Sequence, residues 1–331
     1  MDRWYSGRRN RVARWMYALL VVVLVMTYIC RGYLFGPDKT VAASMDMEGE
    51  TTLPSVKPTA ESGRGQSLLR FAKPTAEDNP QVSKIISEAM SYLGEPAGII
   101  DARDRLNDAL SLSMSGRQRA FVKAQLSELA YKWLFSRMIF PRDKLCVPYK
   151  VKPGDLLSRI GRQFKVPYEI IMKINNISRP EALQADTTIK VINGPFHVRV
   201  YRSTFTMDLY LQNTFVRSFP CGLGKPGMET PTGLWAVKNG GKLITPRWTD
   251  PISGKTYESE DPDYPLGSRW IGLRGLRGEA VGRTGFAIHG TKKLGEIGTA
   301  SSQGCIRLRD DDAVLVFNLL VPGDSRVEIM E

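Results

Sequence analysis

Apolar residues change their spacing several times along the chain, and each change predicts a different kind of element. Residues 15–35 are almost continuously apolar and carry a single charge, Arg31. A bilayer-spanning helix needs about 20 such residues, and an arginine near one end can reach the interface to complete the span. Five arginines within residues 1–14 precede it, which predicts a cytoplasmic N-terminus and an exported remainder. We therefore expect a basic tail at 1–14 and a transmembrane signal anchor at 15–35, with cleavage as a signal peptide left open.

The next two stretches differ in periodicity. Residues 36–80 are polar and contain five prolines, which is typical of a disordered linker. Residues 81–140 place apolar side chains at helical spacing, beginning with Val82, Ile85, Ile86 and Ala89. We predict a small helical hairpin or a tetratricopeptide-like unit here. A single unit is too short for a repeat array, so packing or spacing is its expected role.

Residues 149–192 contain the order strand, helix, helix, strand, with Asp155 as the expected N-cap of the first helix. From Phe196 onward the apolar positions alternate and glycines become frequent, which predicts a β-rich domain with tight turns through residue 331. Within it, residues 239–283 are interpreted either as a lid over the candidate site, carrying Trp248, Tyr257, Tyr264 and Trp270, or as surface loops whose aromatic residues belong to the core.

Charge and cysteine usage restrict the classes of function. The net charge is +12 and the pI about 9.5, which favours an anionic partner, yet no nucleic-acid-binding motif is present and we expect no nucleic-acid partner. Four cysteines without a C-x-x-C pair argue against a disulfide framework or a metal site. Cys146 and Cys221 are equally compatible with a disulfide and with two free thiols. There are two histidines, so imidazole chemistry must use one of them.

Candidate chemistry is concentrated near the C-terminus. Cys305 follows His289 by sixteen residues, a separation that two neighbouring strands can close. A cysteine attacks carbonyls as a thiolate, and a nearby imidazole supplies the base and holds the ion pair. The backbone N–H groups of Gly304 and Cys305 are candidates for an oxyanion site. Arg307 is expected beside the nucleophile, where it favours the thiolate or binds a substrate carboxylate. On composition alone, a buried cysteine and a satisfied histidine explain the pair as well.

Two motifs add a resemblance to known families. Tyr149-x-Val151-x-x-Gly154-Asp155-x-Leu157 followed by Ile160-x-x-x-Phe164 resembles a LysM module at 149–192. His289-Gly290-Thr291 followed by Ser302-x-Gly304-Cys305-Ile306-Arg307 resembles the active site of the YkuD-type L,D-transpeptidases, over residues 196–331. The fold class implied is multidomain: an α+β LysM module and a mainly β catalytic domain, preceded by a helical segment and a membrane helix.

The resemblance also implies roles and partners. Cys305 becomes the nucleophile and His289 its base, with substrate-binding positions at Arg307, Ser302, Gln303, Gly290 and Thr291. The family usually has histidine where this chain has Gln303, which puts activity in question there first. Peptidoglycan stem tetrapeptides and glycan strands are the implied partners, and no cofactor or metal is implied. The expected location is the bacterial inner membrane, single-pass, with the catalytic domain facing the periplasm or cell wall.

Three function hypotheses remain open at the level of the sequence. The first is a transpeptidase that crosslinks third-position residues through a Cys305 thioester. The second is a wall-binding anchor without catalysis, in which Gln303 marks an inactive site. The third is an L,D-carboxypeptidase or a transferase that attaches a protein to peptidoglycan. They differ in whether Cys305 is acylated and in what accepts the acyl group.

Overall fold

The structure is a computed structural model that describes residues 77–95 and 98–331. The predicted basic tail, the signal anchor at 15–35 and nearly all of the linker at 36–80 lie outside the described residues. Within the described ranges, no helix combines the length and the apolar character needed to cross a bilayer.

Three helices form the region after the linker: α1 (Pro80–Tyr92), α2 (Ile99–Ala109) and α3 (Gly116–Trp133). Local sequence signals set where they begin. The Asn79 side chain accepts a hydrogen bond from Gln81 N at the start of α1, and Ser115 forms a reciprocal capping box with Gln118 at the start of α3. The apolar faces are buried, as the helical spacing predicts.

These helices pack against the edge of the large sheet of the C-terminal domain, which is the packing role that the sequence left open beside spacing. Lys123 of α3 forms an ion pair of 2.6 Å with the buried carboxylate of Asp208, and Asn107 of α2 accepts a hydrogen bond from Phe215 N at 2.9 Å. An uncovered edge strand is open to pairing with other chains. The helical region therefore protects the sheet edge.

The LysM module consists of β1 (Cys146–Lys150), α4 (Leu157–Gln163), α5 (Tyr168–Asn175) and β2 (Thr188–Ile192), with β1 and β2 antiparallel. Asp155 is not the N-cap of α4, because Leu156 occupies that position. Its carboxylate instead accepts hydrogen bonds from Lys152 N at 2.8 Å and from the Tyr149 hydroxyl at 2.9 Å. Asp155 thus closes the turn before the helix. Its carboxylate accepts hydrogen bonds within this turn and does not cap the helix itself.

A buried lysine joins the LysM module to the helical region. Lys190 of β2 has no exposed surface, and its Nζ donates to the carbonyls of Trp133, Ser136 and Met138 at 2.5, 2.9 and 2.7 Å. Three carbonyl acceptors compensate for the removal of the ammonium from water. The module is held to the end of α3 by this contact.

The C-terminal domain is built on one eight-stranded sheet. Its strands are β3 (Phe196–Tyr201), β4 (Thr206–Leu211), β5 (Thr214–Pro220), β7 (Gly233–Ile244), β10 (Arg269–Arg277), β11 (Ala287–Thr291), β13 (Ile306–Arg309) and β14 (Arg326–Met330). They lie in the order β13-β11-β10-β7-β14-β3-β4-β5. Neighbouring strands are antiparallel except for the pairs β11/β13 and β14/β3.

Smaller elements surround the β11–β13 end of the sheet. β6 (Leu223–Gly224) pairs in parallel with β12 (Ala300–Ser302), β8 (Trp248–Thr249) pairs with β9 (Thr256–Tyr257), and α6 (Asp310–Phe317) follows β13. The lid interpretation of 239–283 does not apply to Trp270, which lies in the central strand β10. The place of Trp270 in the sheet depends on strand pairing, which is non-local and which the pattern of a single segment does not show.

Candidate active site

Parallel pairing of β11 with β13 closes the sixteen-residue separation between His289 and Cys305. His289 pairs with Arg307, and Cys305 immediately precedes β13. Alternate residues of a strand project from the same face, so His289, Arg307 and Cys305 lie on one side of the sheet as diagonal neighbours. The positive charge of Arg307 acts on the pKa of both other side chains, which agrees with this arrangement.

His289 is buried, with 3% of its surface exposed, and its orientation is held on two sides. Trp270 of β10 stacks on the imidazole at a centroid separation of 5.7 Å and an interplanar angle of 15°. Nδ1 lies 2.7 Å from the Gly290 carbonyl. Because a carbonyl oxygen only accepts, Nδ1 carries the proton and Nε2 is the basic nitrogen of the neutral ring.

Burial keeps His289 uncharged at neutral pH. Desolvation lowers its pKa from 6.5 to about 4, and the charge of Arg307 acts in the same direction. Hydrogen bonding to the backbone of Gly290 and Leu266 raises the pKa and offsets only part of this effect. A neutral imidazole is the form that can accept a proton.

Cys305 is partly exposed, and its Sγ lies 3.7 Å from the Gly285 carbonyl. Burial raises the pKa of the Cys305 thiol to about 11, while a backbone hydrogen bond from Ala287 and the charge of Arg307 lower it. Both residues are described, and no hydrogen bond joins Sγ to the His289 ring. The resting pair is therefore a neutral thiol and a neutral imidazole, which differs from the ion pair that the sequence suggested.

Ser302 and Gly304 shape the turn that presents Cys305. The buried Ser302 hydroxyl donates to the Cys305 carbonyl at 2.6 Å and accepts from Gly304 N at 3.0 Å. Gly304 N–H, one of the two predicted oxyanion donors, is thus already engaged, whereas Cys305 N–H has no hydrogen bond with any described residue. Gly304 has φ of +110°, and a Cβ there would lie 2.7 Å from Phe286 Cε1. Ser302 thus supports the turn from within, and its predicted contact with substrate stays a prediction.

Arg307 and Thr291 share one acceptor. Glu296 Oε2 lies 2.9 Å from Arg307 Nη1 and accepts from Thr291 Oγ1 at 3.2 Å. Thr291 is buried and also accepts from Lys293 N at 3.0 Å. Thr291 therefore holds the segment after β11, and Glu296 fixes the Arg307 guanidinium. The predicted contact of Thr291 with substrate stays a prediction.

Gly290 and Gln303 occupy different surroundings. A Cβ on Gly290 would lie 2.2 Å from Asp310 Oδ1, an atom that accepts a hydrogen bond from Ser268 N at 2.6 Å. Gly290 thus permits close packing of β11 against the start of α6, and its Cα is not open to a substrate. Gln303 instead lines a cavity of about 480 Å³, and its Nε2 lies 3.5 Å from Asp250 Oδ1.

Sequence reasoning missed Glu296, Phe286 and Asp310 as neighbours of the site, and it named Trp270 only as part of a possible lid over the site. Trp270 lies two positions before a glycine in a strand-like segment, which is a weak local signal. Its contact with His289 depends on the β10–β11 register, which that segment alone does not show. Glu296 lies in a loop whose sequence carries no signal that we could identify. The contacts that orient Arg307 and the imidazole therefore became visible only in the assembled sheet.

The other cysteines and the acidic groups offer no second reactive centre among the described residues. Cys146 and Cys221 are buried free thiols, and burial raises the pKa of each to about 12. No group of three or more cysteine, histidine or acidic residues in the described part of the chain is arranged to hold a metal ion.

Two models of known protein families match the chain. A family model for the YkuD L,D-transpeptidase catalytic domain matches residues 195–329, and one for the LysM domain matches 149–191. Bacillus subtilis YqjB, whose name assigns it to the L,D-transpeptidases, is 32% identical over 140 residues, which cover 42% of this chain and 73% of that protein. The chain belongs to the L,D-transpeptidase family.

Two further members of the L,D-transpeptidase family extend the match. Bacillus subtilis YkuD is 29% identical over 188 residues, covering 55% of this chain and 97% of that protein. Escherichia coli ErfK/SrfK is 31% identical over 186 residues, covering 53% of this chain and 51% of that protein. The names of both assign them to the L,D-transpeptidases. A LysM module and this catalytic domain on one chain indicate an enzyme that binds peptidoglycan and acts outside the cytoplasm.

Proposed function

We propose that this L,D-transpeptidase crosslinks third-position residues of peptidoglycan stem peptides through a thioester on Cys305, with His289 as the base. The observation that carries the proposal is the β11–β13 pairing, which puts the partly exposed thiol and a buried, neutral imidazole on one face of the sheet. A thiol needs a neutral base nearby to become a nucleophile at neutral pH.

In the first half-reaction, His289 Nε2 takes the proton of the Cys305 thiol as Sγ attacks the carbonyl before the terminal D-Ala of a donor tetrapeptide. The carbon–nitrogen bond then breaks, the imidazolium returns its proton to the leaving amine, and a thioester remains. The Arg307 charge lowers the pKa of both groups. It therefore favours the thiolate and also makes the imidazolium a better acid toward D-Ala.

In the second half-reaction, the side-chain amine of a diamino acid on a neighbouring stem attacks the thioester carbonyl. His289 accepts a proton from this amine, the carbon–sulfur bond breaks, and Cys305 regains its proton. The unengaged Cys305 N–H is the candidate donor to the oxyanion in both steps. Gly304 N–H can join it only if the Ser302 hydroxyl releases that bond.

The LysM module is proposed to hold a glycan strand while the catalytic domain acts on its stems. Linked binding raises the effective concentration of substrate, commonly to the millimolar range. The buried Lys190 contact makes the module part of a continuous body with the helical region. We further propose that residues 15–35 anchor the chain in the bacterial inner membrane, facing the periplasm or cell wall.

The test is intact-protein and product mass spectrometry on the full chain incubated with disaccharide-tetrapeptide muropeptides. We expect an acyl-enzyme adduct and dimeric muropeptides that have lost D-Ala, both absent with Cys305→Ala. Cys221→Ala is the matched control, because that thiol is buried in the core, and it should keep both products if it folds.

The other outcomes separate the alternatives. Tripeptide monomers without dimers would assign a carboxypeptidase, and a protein–muropeptide adduct formed only with an added protein acceptor would assign a protein-to-peptidoglycan transferase. Glycan binding without any acyl-enzyme would refute the catalytic proposal and leave a wall anchor. Gln303→His would then be the first variant to test for acyl-enzyme formation.

A further inference from the structure

A charged trough begins beside the turn that presents Cys305 and extends to Arg202, which follows β3. Two cavities, of about 470 and 480 Å³, share Glu229, Pro231 and Arg283 in their walls and so form one continuous depression. One end is lined by Phe286 and Gln303, and the other by Arg202. We call this depression the Arg283 trough.

Printed contacts link the trough to the nucleophile. The ring of Phe286 abuts Gly304, since a Cβ on that glycine would lie 2.7 Å from Phe286 Cε1. The Cys305 Sγ contacts the carbonyl of Gly285, the residue before Phe286, at 3.7 Å. Arg283 is two residues from Gly285, which is at most about 7 Å of chain. A peptide whose carbonyl reaches Sγ can therefore extend into the trough within a few residues.

A second cavity near the site, of about 580 Å³, is lined by Thr291, Lys292 and Asp310. Its lining includes neither Phe286, whose ring meets Gly304, nor Gln303, which precedes Gly304. The trough is thus the depression that has the Phe286–Gly304 contact in its wall.

The charged side chains that line the trough differ in whether they already have hydrogen-bond or ion-pair partners. Glu229 accepts from Gly227 N at 2.8 Å and Glu279 from Thr232 N at 2.9 Å, and these backbone bonds lower the pKa of each carboxyl. Arg202 pairs with Glu331 at 3.5 Å. Arg283 is exposed and has no carboxylate within 4.0 Å among the described residues. Its guanidinium is the group with spare hydrogen-bonding capacity.

We propose that Arg283 binds a carboxylate of the stem peptide and makes the enzyme prefer stems in which that carboxylate is free over stems in which it is amidated. A guanidinium binds a carboxylate through two parallel hydrogen bonds, and an amide cannot accept both. The fixed carboxylates of Glu229 and Glu279 add a preference for a positive charge nearby, so a diamino acid suits the trough. The proposal rests on the proposed function for the source of the peptide.

Two substrate pairs identify the source of the carboxylate. In the donor arm, tetrapeptides with a free or an amidated diamino-acid carboxylate acylate Cys305. In the acceptor arm, free or amidated tripeptides compete for a preformed acyl-enzyme. The full chain should favour the free form by about two- to fivefold in one arm, the range expected for an exposed charge pair. Arg283→Gln should use the free and the amidated form equally in that arm.

Arg274→Gln is the matched control, because Arg274 is an exposed arginine of β10 that lines neither cavity, and it should keep the preference. Equal use of the free and amidated forms by the unmodified chain in both arms, or a preference that survives Arg283→Gln, would overturn the proposal.

Calorimetric binding of the same peptides to Cys305→Ala, with and without Arg283→Gln, tests the role of Arg283 separately from the proposed catalytic function. A preference in binding that disappears with Arg283→Gln would support the trough even if no acyl-enzyme forms. Equal binding of both peptide forms would count against it whatever the catalytic result.

Discussion

The buried imidazole of His289 should make folding stability depend on pH in a way that can be isolated by one substitution. Its pKa is lowered from 6.5 to about 4 by desolvation. Because the unfolded chain binds the proton first, stability is complete above pH 6.5 and falls as the pH drops toward 4. The pKa of His289 changes by about 2.5 on folding, and half of the folded protein is protonated at pH 4. The free energy of unfolding therefore decreases by about 3 kcal/mol between pH 7.5 and pH 4.

The measurement compares the unmodified chain with His289→Gln by urea unfolding at several pH values between 7.5 and 4. Glutamine keeps hydrogen-bonding capacity but does not titrate, and every other group, including His197, is common to both proteins. The free energy of unfolding of the unmodified chain should therefore decrease by about 3 kcal/mol more than that of His289→Gln. A difference between the two proteins that stays constant across this range would refute the assignment of His289 as a buried, neutral base.

Three further predictions concern Cys305 and the turn that presents it. Ser302→Ala removes both hydrogen bonds of the buried hydroxyl. It should lower the free energy of unfolding by about 1–3 kcal/mol, measured by thermal melting, and slow acylation, measured by adduct formation. An unchanged melting temperature together with an unchanged acylation rate would contradict this prediction. Gly304→Ala should cost about 1–3 kcal/mol in a melting assay because φ is +110° and the new methyl meets Phe286, and a neutral result would show that the turn relaxes. Alkylation of Cys305 by iodoacetamide should keep accelerating up to about pH 11, and a plateau near pH 7 would instead indicate a preformed thiolate.

Short-range patterns were sufficient for the elements whose partners are close in sequence. Helical spacing placed the apolar face of α1, and the strand–helix–helix–strand order of the LysM module follows from periodicity within fifty residues. Asp155 shows where this reasoning ends, since a carboxylate before a helix can cap the helix or close the preceding turn. Both use the same local geometry, and the sequence does not decide between them.

The candidate site could be proposed from the sequence because its motif lies within twenty residues near the C-terminus. Residue type and spacing made Cys305, His289, Gly304 and Arg307 candidates, and the resemblance to the YkuD-type L,D-transpeptidases then favoured them over a structural explanation. Their protonation was not predictable. A pKa depends on desolvation and on nearby charges, and burial of His289 arises from strands that are distant along the chain.

What the sequence by itself determined is therefore the composition of the site and the elements that carry it. Only the tertiary structure decided that Trp270 stacks on the imidazole, that Glu296 fixes Arg307, and that Ser302 engages the Gly304 N–H. The physical reason is that strand register, burial and hydrogen-bond partners are properties of pairs of segments far apart in the chain. No single stretch of residues contains that information.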